Sequence, residues 1–126
     1  MIAEQTRTTA EVAARFNELA KEGNWDKIQD ELFADNAVSV EPPGVPGLQS
    51  VEGLPAIREK AKQFNAMVEE MHDGYSTDPV VAGNYFSVAM GMEATMKGRG
   101  RTRMDEIAVY EVKDGKIVKE QFFFNA

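Results

Sequence analysis

The spacing of apolar residues changes once along this chain, and that change limits the folds open to it. Before His72 most apolar positions recur with a period near 3.6, as in helices that bury one face. From Phe86 onwards they alternate with polar or small residues, as in strands that bury one face. We therefore expect an α+β fold in which helices cover one face of a curved, mostly antiparallel sheet.

The helical half contains the start signals of three helices. The first follows a capping box at 8–11 and stops near Gly23, and the second is capped by Asn24. A strand then ends at Glu41, and a loop at 42–53, rich in proline and glycine, is expected to lack regular structure. Pro55 opens the third helix, whose apolar spacing predicts that it reaches residue 71.

Four strands are expected after His72, joined by tight connections. Clear segments run over 86–96, about 102–112 and 117–124, with an Asp-Gly turn before the last. At 126 residues the chain has the size of one domain, so a single domain over 1–126 is expected.

Composition limits the chemistry. The chain has no cysteine, so disulfides, thiol nucleophiles and thiolate metal sites are excluded. It has one histidine and no calcium-binding loop, so neither a metal site nor a cofactor is expected.

Charge and hydropathy limit the partners. The net charge of −7 argues against nucleic acid, and the basic run at 97–103 is interpreted as a solvated hairpin tip. No apolar run approaches the roughly 20 residues of a membrane span, and no signal peptide is evident. The sequence thus predicts a cytoplasmic protein that binds neither nucleic acid nor membranes.

Glu41 is the main candidate for chemistry. It stands where an apolar strand meets two prolines, which cannot donate to a sheet ladder, so the strand ends at the carboxylate. An acid at the mouth of an enclosed space is a candidate general base. A solvated strand terminus would have the same sequence pattern.

Four segments in order resemble the nuclear-transport-factor-2-like superfamily, which includes ketosteroid isomerases and SnoaL-like polyketide cyclases. They read GNWD at 23–26, LFADNA at 32–37, GLPAIRE at 53–59 and VKDGKIV at 112–118. The resemblance implies a cone-like fold, with three N-terminal helices packed on the sheet. It also implies a pocket for a small apolar ligand and a homodimer formed through the sheet.

The resemblance implies roles for three positions. Glu41 matches the strand-end acid that shuttles a proton in ketosteroid isomerases. Phe16 and Ala108 fall where that family has two hydrogen-bond donors to the developing oxyanion. Losing such a donor typically costs about 2.7–4 kcal/mol of barrier, so standard ketosteroid isomerisation is disfavoured.

Two residues are candidates to replace those donors. Glu106 shares a predicted strand face with Ala108, and an acid among apolar groups has a raised pKa and can donate a hydrogen bond. A twisted strand would instead expose it. His72 is a candidate to pair with either glutamate, or to bond a backbone carbonyl at a helix-to-strand junction.

The remaining candidates concern binding. The expected ligand-binding positions are Phe16, Trp25, Met104, Ala108, Tyr110 and Gln121, of which Tyr110 and Gln121 are placed on inward-facing strand positions. The function these residues predict is a cofactor-free isomerase, cyclase or hydratase acting on an apolar carbonyl compound. The alternative is a non-catalytic binding or dimerisation domain. Aromatic residues on the outer sheet face favour a homodimer, and the loop at 42–53 is a candidate lid.

Overall fold

Helices and a single sheet make up the computed structural model, which describes residues 6–44 and 49–125. In chain order the elements are α1 (Thr9–Lys21), α2 (Trp25–Leu32), β1 (Phe33–Val40), β2 (Val51–Glu52), α3 (Leu54–Met67), β3 (Val68–Ser76), β4 (Val80–Ala82), β5 (Tyr85–Met96), β6 (Gly100–Lys113) and β7 (Lys116–Phe123). The α+β class is therefore confirmed. None of the described helices is long and apolar enough to cross a membrane.

The described strands form one seven-stranded sheet with the order β2-β1-β7-β6-β5-β3, and β4 pairs with β5. Every pairing is antiparallel except that of β1 with β7, which is parallel. All three helices lie in the N-terminal half, but β1 and β2 precede α3. The first and last strands of the chain, β1 and β7, are thus brought together, and this pairing positions the site.

Local signals set several element boundaries. The Thr8 hydroxyl accepts from the Glu11 backbone, and the Glu11 carboxylate accepts from the Thr8 backbone, so the predicted capping box forms. Asn24 caps α2 as predicted. Asp114 and Gly115 adopt φ angles of 51° and 76°, which the tight turn between β6 and β7 requires.

Two expectations about the elements are wrong, and a third differs only in its bounds. The third helix ends at Met67, because Val68 pairs with Met96 and begins β3. The loop at 42–53 contains a short strand, since Val51 pairs with Ser39 of β1. The strand predicted to begin near residue 102 begins at 100, where it continues the hairpin with β5.

The core lies between α1 and the sheet. The ring of Phe16 is 5.4 Å from that of Phe86 and 4.7 Å from that of Tyr110, measured between centroids, and all three side chains are buried. Ala108 is fully buried beside them. Aromatic packing therefore fills this part of the space between α1 and the sheet.

The face of the sheet turned away from the helices is called the outer face and is defined here by Tyr75, Ala89, Ile107 and Phe123. Ile107 pairs with Ala89 on one side and with Phe123 on the other, so these three form a row. Ile107 and Phe123 are 53% and 50% exposed. The prediction that the outer face carries aromatic residues is confirmed.

Candidate active site

Glu41 directly follows β1, as its proline neighbours predict. Its backbone N–H donates to the Ser50 hydroxyl at 2.9 Å, which ties the end of β1 to the segment before β2. The Glu41 side chain is only 7% exposed. Its carboxylate accepts a hydrogen bond from the Lys60 ammonium, with 2.7 Å between the atoms. The acid is therefore a nearly buried ion pair rather than a solvated strand end.

An open cleft of about 700 Å³ lies beside Glu41. Its lining residues are Val40, Glu41, Pro42, Pro43, Tyr75, Ala89, Asp105, Glu106, Ile107, Gln121, Phe122, Phe123, Phe124 and Asn125. The cleft takes in the ends of β1 and β7 as well as part of the outer face. The lid prediction for 42–53 stays a prediction, because residues 45–48 lie outside the described residues.

Glu106 lines the same cleft as Glu41 and is half-buried. Burial raises its pKa to about 7, with further raising from the charges of Glu41 and Glu120 and an opposing effect of Lys60. Glu106 therefore keeps its proton to a higher pH than an ordinary glutamate does. This places one hydrogen-bond-donating acid and one ionised carboxylate in one cleft.

A third carboxylate, Glu120, lies behind Glu41. It pairs across the parallel β1–β7 ladder with Ser39, and it is 7% exposed. Burial raises its pKa to about 7, against the lowering effects of the Ser39 hydrogen bond and of Lys60. The site thus contains three acids, one ammonium and one hydroxyl.

Tyr110 of β6 is the neighbour of these acids on the helix-facing side of the sheet. It pairs with Glu120 across β6 and β7 and is 3% exposed. Burial and the charges of Glu120 and Glu106 raise its pKa well above 10, so its hydroxyl remains protonated. Tyr110 is therefore a hydrogen-bond donor close to the acids, but it is not among the residues that line the cleft.

The structure does not bring His72 to the two glutamates. His72 lies within β3, and its Nε2 atom is 2.7 Å from the Thr95 hydroxyl and 3.9 Å from the Glu70 carboxylate. Glu70 pairs with Thr95, whose neighbour Ala94 is buried against the helices, so Thr95 points to the outer face. His72 therefore does not pair with Glu41 or Glu106: Glu106 lies on the helix-facing side of β6, and Glu41 follows β1 beyond β7 in the sheet.

Gln121 also differs from its predicted placement. It alternates with the buried Glu120, and it pairs with Val109 of β6, so it lies on the outer face. A bulge between Glu111 and Val112 shifts the register of β7 by one residue and turns Gln121 away from the helices. Gln121 still lines the cleft, because the cleft includes part of that face.

The other predicted binding residues do not line the cleft. Phe16 and Ala108 belong to the core, and Met104 pairs with Met92 on the helix-facing side. Trp25 is 41% exposed and packs edge-on against Phe16, with 6.1 Å between ring centroids. Their roles in binding remain predictions, now without a place in the observed cleft.

Lys60 and Glu120 were missed by the sequence reasoning. Lys60 stands three residues after the buried Ile57, hence on the side of α3 that faces the sheet. A cation on the apolar side of a helix was the available signal. Glu120 had no such signal, because it stands in the polar run Lys119-Glu120-Gln121, and charged residues in such a run usually face water. Among the described residues, no group of three histidine or acidic side chains is arranged to hold a metal ion.

Comparisons with known proteins agree with this fold. A family model described as a SnoaL-like domain matches residues 7–124. A protein from Mesorhizobium loti is 34% identical in sequence to this chain, and its crystal structure is described as that of a candidate SnoaL-like polyketide cyclase and carbohydrate phosphatase. It has a TM-score of 0.87, and the match covers 94% of this chain and 100% of that one. A comparison with curated proteins gives no match.

Two further structures share the fold at lower identity. A candidate isomerase from Bacillus subtilis is 22% identical, with a TM-score of 0.71 and coverage of 94% of this chain and 90% of that one. A candidate SnoaL-like polyketide cyclase from a Jannaschia species is 17% identical, with a TM-score of 0.62 and coverage of 95% and 90%. These two similarities concern the fold alone.

Proposed function

The chain belongs to the family of SnoaL-like domains, and from this premise we propose that it is a cofactor-free acid–base enzyme of the isomerase or cyclase type. Its substrate would be a small apolar carbonyl compound. The observation that carries the proposal is the pair of acids in one cleft, Glu41 and Glu106. One is ionised beside Lys60, and the pKa of the other is raised to about 7.

Such a pair supports proton transfer next to a carbonyl group. Glu41 takes a proton from the carbon beside the carbonyl, and the C–H electron pair becomes the carbon–carbon double bond of an enolate. The protonated Glu106 carboxyl donates a hydrogen bond to the oxygen on which negative charge develops. In a substrate with a carbon–carbon double bond next to that carbon, Glu41 returns the proton to the far end of the conjugated enolate and gives an isomer. In a substrate with a second carbonyl, the enolate carbon attacks it and closes a ring, and the resulting alkoxide takes the proton back from Glu41.

The proposal differs from ketosteroid isomerisation in its donors. The two family donor positions are Phe16 and Ala108, which have no hydrogen-bonding side chain and lie in the core. Glu106 lies two residues before Ala108 on the same side of β6, nearer to the cleft. The oxygen of a substrate would therefore bind at the cleft and not between α1 and the sheet.

Replacing Glu41 with glutamine tests the base. We expect the wild-type protein to exchange the α-protons of 2-tetralone, an apolar ketone, for deuterium, followed by proton NMR. Glu41→Gln should slow that exchange by about 100-fold or more, because an amide cannot accept the proton. Glu69→Gln is the matched control, since Glu69 is exposed on β3. No exchange above buffer, or full exchange by the variant, would contradict the proposal.

A non-catalytic binding domain is the second candidate. It is favoured by the Lys60 ion pair, which already occupies one oxygen of Glu41 at 2.7 Å. This candidate predicts that 2-tetralone shifts backbone amide resonances around the cleft while its protons do not exchange. Binding and exchange are thus measured on the same sample and separate the two candidates.

We further propose that the outer face forms a homodimer. Exposed apolar side chains at Tyr75, Ile107 and Phe123 adjoin one another and also line the cleft, so a second copy would help enclose it. We expect light scattering to give a dimer for the wild type and a monomer for Ile107→Asp. Met71→Asp is the control, since Met71 is 54% exposed but pairs with Ala94, whose side chain faces the helices. A wild-type monomer at micromolar concentration would contradict this.

A further inference from the structure

The Lys60 ammonium donates hydrogen bonds to two side chains at the end of β1. Its Nζ atom lies 2.7 Å from a Glu41 carboxylate oxygen and 2.6 Å from the Ser39 hydroxyl oxygen, and the Lys60 side chain is 15% exposed. The ring of Phe122 lies 5.6 Å from the same nitrogen. The ammonium is therefore enclosed by a carboxylate, a hydroxyl and an aromatic ring, a combination that stabilises a fixed cation.

The Ser39 hydroxyl extends this chain of contacts to Glu120. Ser39 pairs with Glu120 across the β1–β7 ladder, and because its oxygen accepts from Lys60, its own proton is free to be directed at Glu120, whose pKa the hydroxyl lowers. Ser39 is fully buried and Glu120 nearly so. Ser39 therefore links the Lys60 ammonium to the strand that carries Glu120.

We propose that Lys60 is a positioning residue that fixes the Glu41 carboxylate at the cleft, and that Ser39 and Glu120 hold Lys60 in place from the other side. This inference rests on the proposed function, in which Glu41 is the base. A base must be held within a fraction of an ångström of the carbon it deprotonates. Glu41 follows the last residue of β1, so a contact from α3 supplies the constraint that the sheet does not.

Lys60 does not suit a nucleophilic role. An ammonium that donates to a carboxylate at 2.7 Å and to a hydroxyl at 2.6 Å has no free electron pair for attack on a carbonyl carbon. Its charge acts instead on the surrounding acids. It lowers the pKa of Glu106 and of Glu120, whereas Glu41 raises both. Together with Tyr110 from β6, these are the titratable groups that face one another here.

Two variants of Lys60 test the inference. Lys60→Met should slow deuterium exchange of 2-tetralone about tenfold to a hundredfold while KM changes less than about threefold, because the base is misplaced but the cleft remains. Lys60→Arg, which keeps the charge and can donate to both partners, should recover most of the rate. Lys62→Met is the control, since Lys62 is exposed on the same helix.

Carboxyl titration gives a readout that does not need turnover. In protein with carbon-13-labelled glutamate, Lys60→Met should move the titrations of Glu106 and Glu120 to higher pH, and Lys60→Arg should leave them near the wild-type values. Ser39→Ala should raise the titration of Glu120 but not that of Glu106, because the Ser39 hydrogen bond acts on Glu120 alone. These shifts distinguish a contact in the site from a general loss of structure.

The outcomes for the two proposals are separable. If the wild type does not exchange 2-tetralone, the proposed function fails, while the titrations still decide whether Lys60 links the acids. If Lys60→Met exchanges at the wild-type rate, or leaves both titrations unchanged, the positioning role is overturned. Should Lys60→Met not fold, Ser39→Ala and Lys60→Arg carry the same test.

Discussion

Replacing Lys60 with methionine is expected to lower the free energy of unfolding by about 3–5 kcal/mol, the usual cost of leaving one partner of a buried ion pair alone. The Glu41 side chain is 7% exposed and accepts from Lys60 at 2.7 Å, so without the ammonium a carboxylate remains in a place with little water. Urea unfolding at pH 6, followed by circular dichroism, measures the loss.

A second substitution separates the ion pair from simple packing. In the double variant Glu41→Gln/Lys60→Met the unpaired charge is gone, so most of the stability should return even though Lys60 is still absent. Arg58→Met is the matched control: Arg58 lies on the same helix, and its ion pair with Asp30 is half exposed, so a change within about 1 kcal/mol is expected. A double variant no more stable than Lys60→Met would contradict the ion-pair explanation.

The elements that sequence predicted well are those with local causes. The capping box at Thr8 and Glu11, the Asn24 cap and the turn at Asp114 and Gly115 each depend on residues a few positions apart. The position of Glu41 at a strand end belongs to the same class, since Pro42 alone prevents β1 from continuing. Such signals need no knowledge of the rest of the chain.

The end of α3 shows why a periodic pattern can mislead. Val68 and Met71 continue the helical spacing of apolar residues, yet they lie in β3. Val68 pairs with Met96, and the Met67 carbonyl accepts from the Lys97 backbone, so long-range pairing with β5 decides the boundary. Because His72 then falls inside a strand, its neighbours are those of the sheet and not those of the cleft.

One bulge accounts for the error at Gln121 and the omission of Glu120. Counting back from the Asp114-Gly115 turn without a bulge puts Gln121 opposite Ala108 on the helix-facing side. The extra residue of the bulge puts Phe122 there instead and places Glu120 opposite Tyr110. A slip of one residue exchanges the two faces of a strand. An outer-face amide, Gln121, was therefore assigned to the pocket, and the buried acid beside it was missed.

The site itself could be predicted only in part. Glu41 and Glu106 were identified from strand ends and alternation, and both line the cleft. Lys60 reaches Glu41 from 19 residues further along the chain, through the packing of α3 on β1, which no local pattern encodes. The chemistry of the cleft thus depends on a tertiary contact that sequence spacing does not reveal.

Stability is also expected to fall as the pH rises from 5 to 8.5, because the half-buried Glu106 and the buried Glu120 both favour their neutral forms in the folded protein. Their pKa values are raised from 4.5 to about 7 in the folded protein. Below pH 4.5 both states hold the protons and the full stability is present. Between 4.5 and 7 the unfolded chain releases protons that the folded state keeps, and above 7 the loss is complete. Each acid alone would contribute at most about 3 kcal/mol to this loss.

Glu106→Gln and Glu120→Gln should each reduce that fall, since glutamine has the shape of a neutral glutamic acid and does not titrate. The free energy of unfolding of each variant should exceed that of the wild type most at pH 8.5 and little at pH 5. The increase in the double variant should be smaller than the sum of the two single increases, because both acids interact with Glu41 and Lys60. Glu31, whose pKa is lowered to about 2 mainly by Arg15, adds stability that is lost only below pH 4.5, so it does not enter this window. Urea unfolding at both pH values, with Glu69→Gln as the exposed control, measures the effect. If the stability of the variants falls between pH 5 and pH 8.5 as much as that of the wild type, neither acid is held in its neutral form in the folded protein.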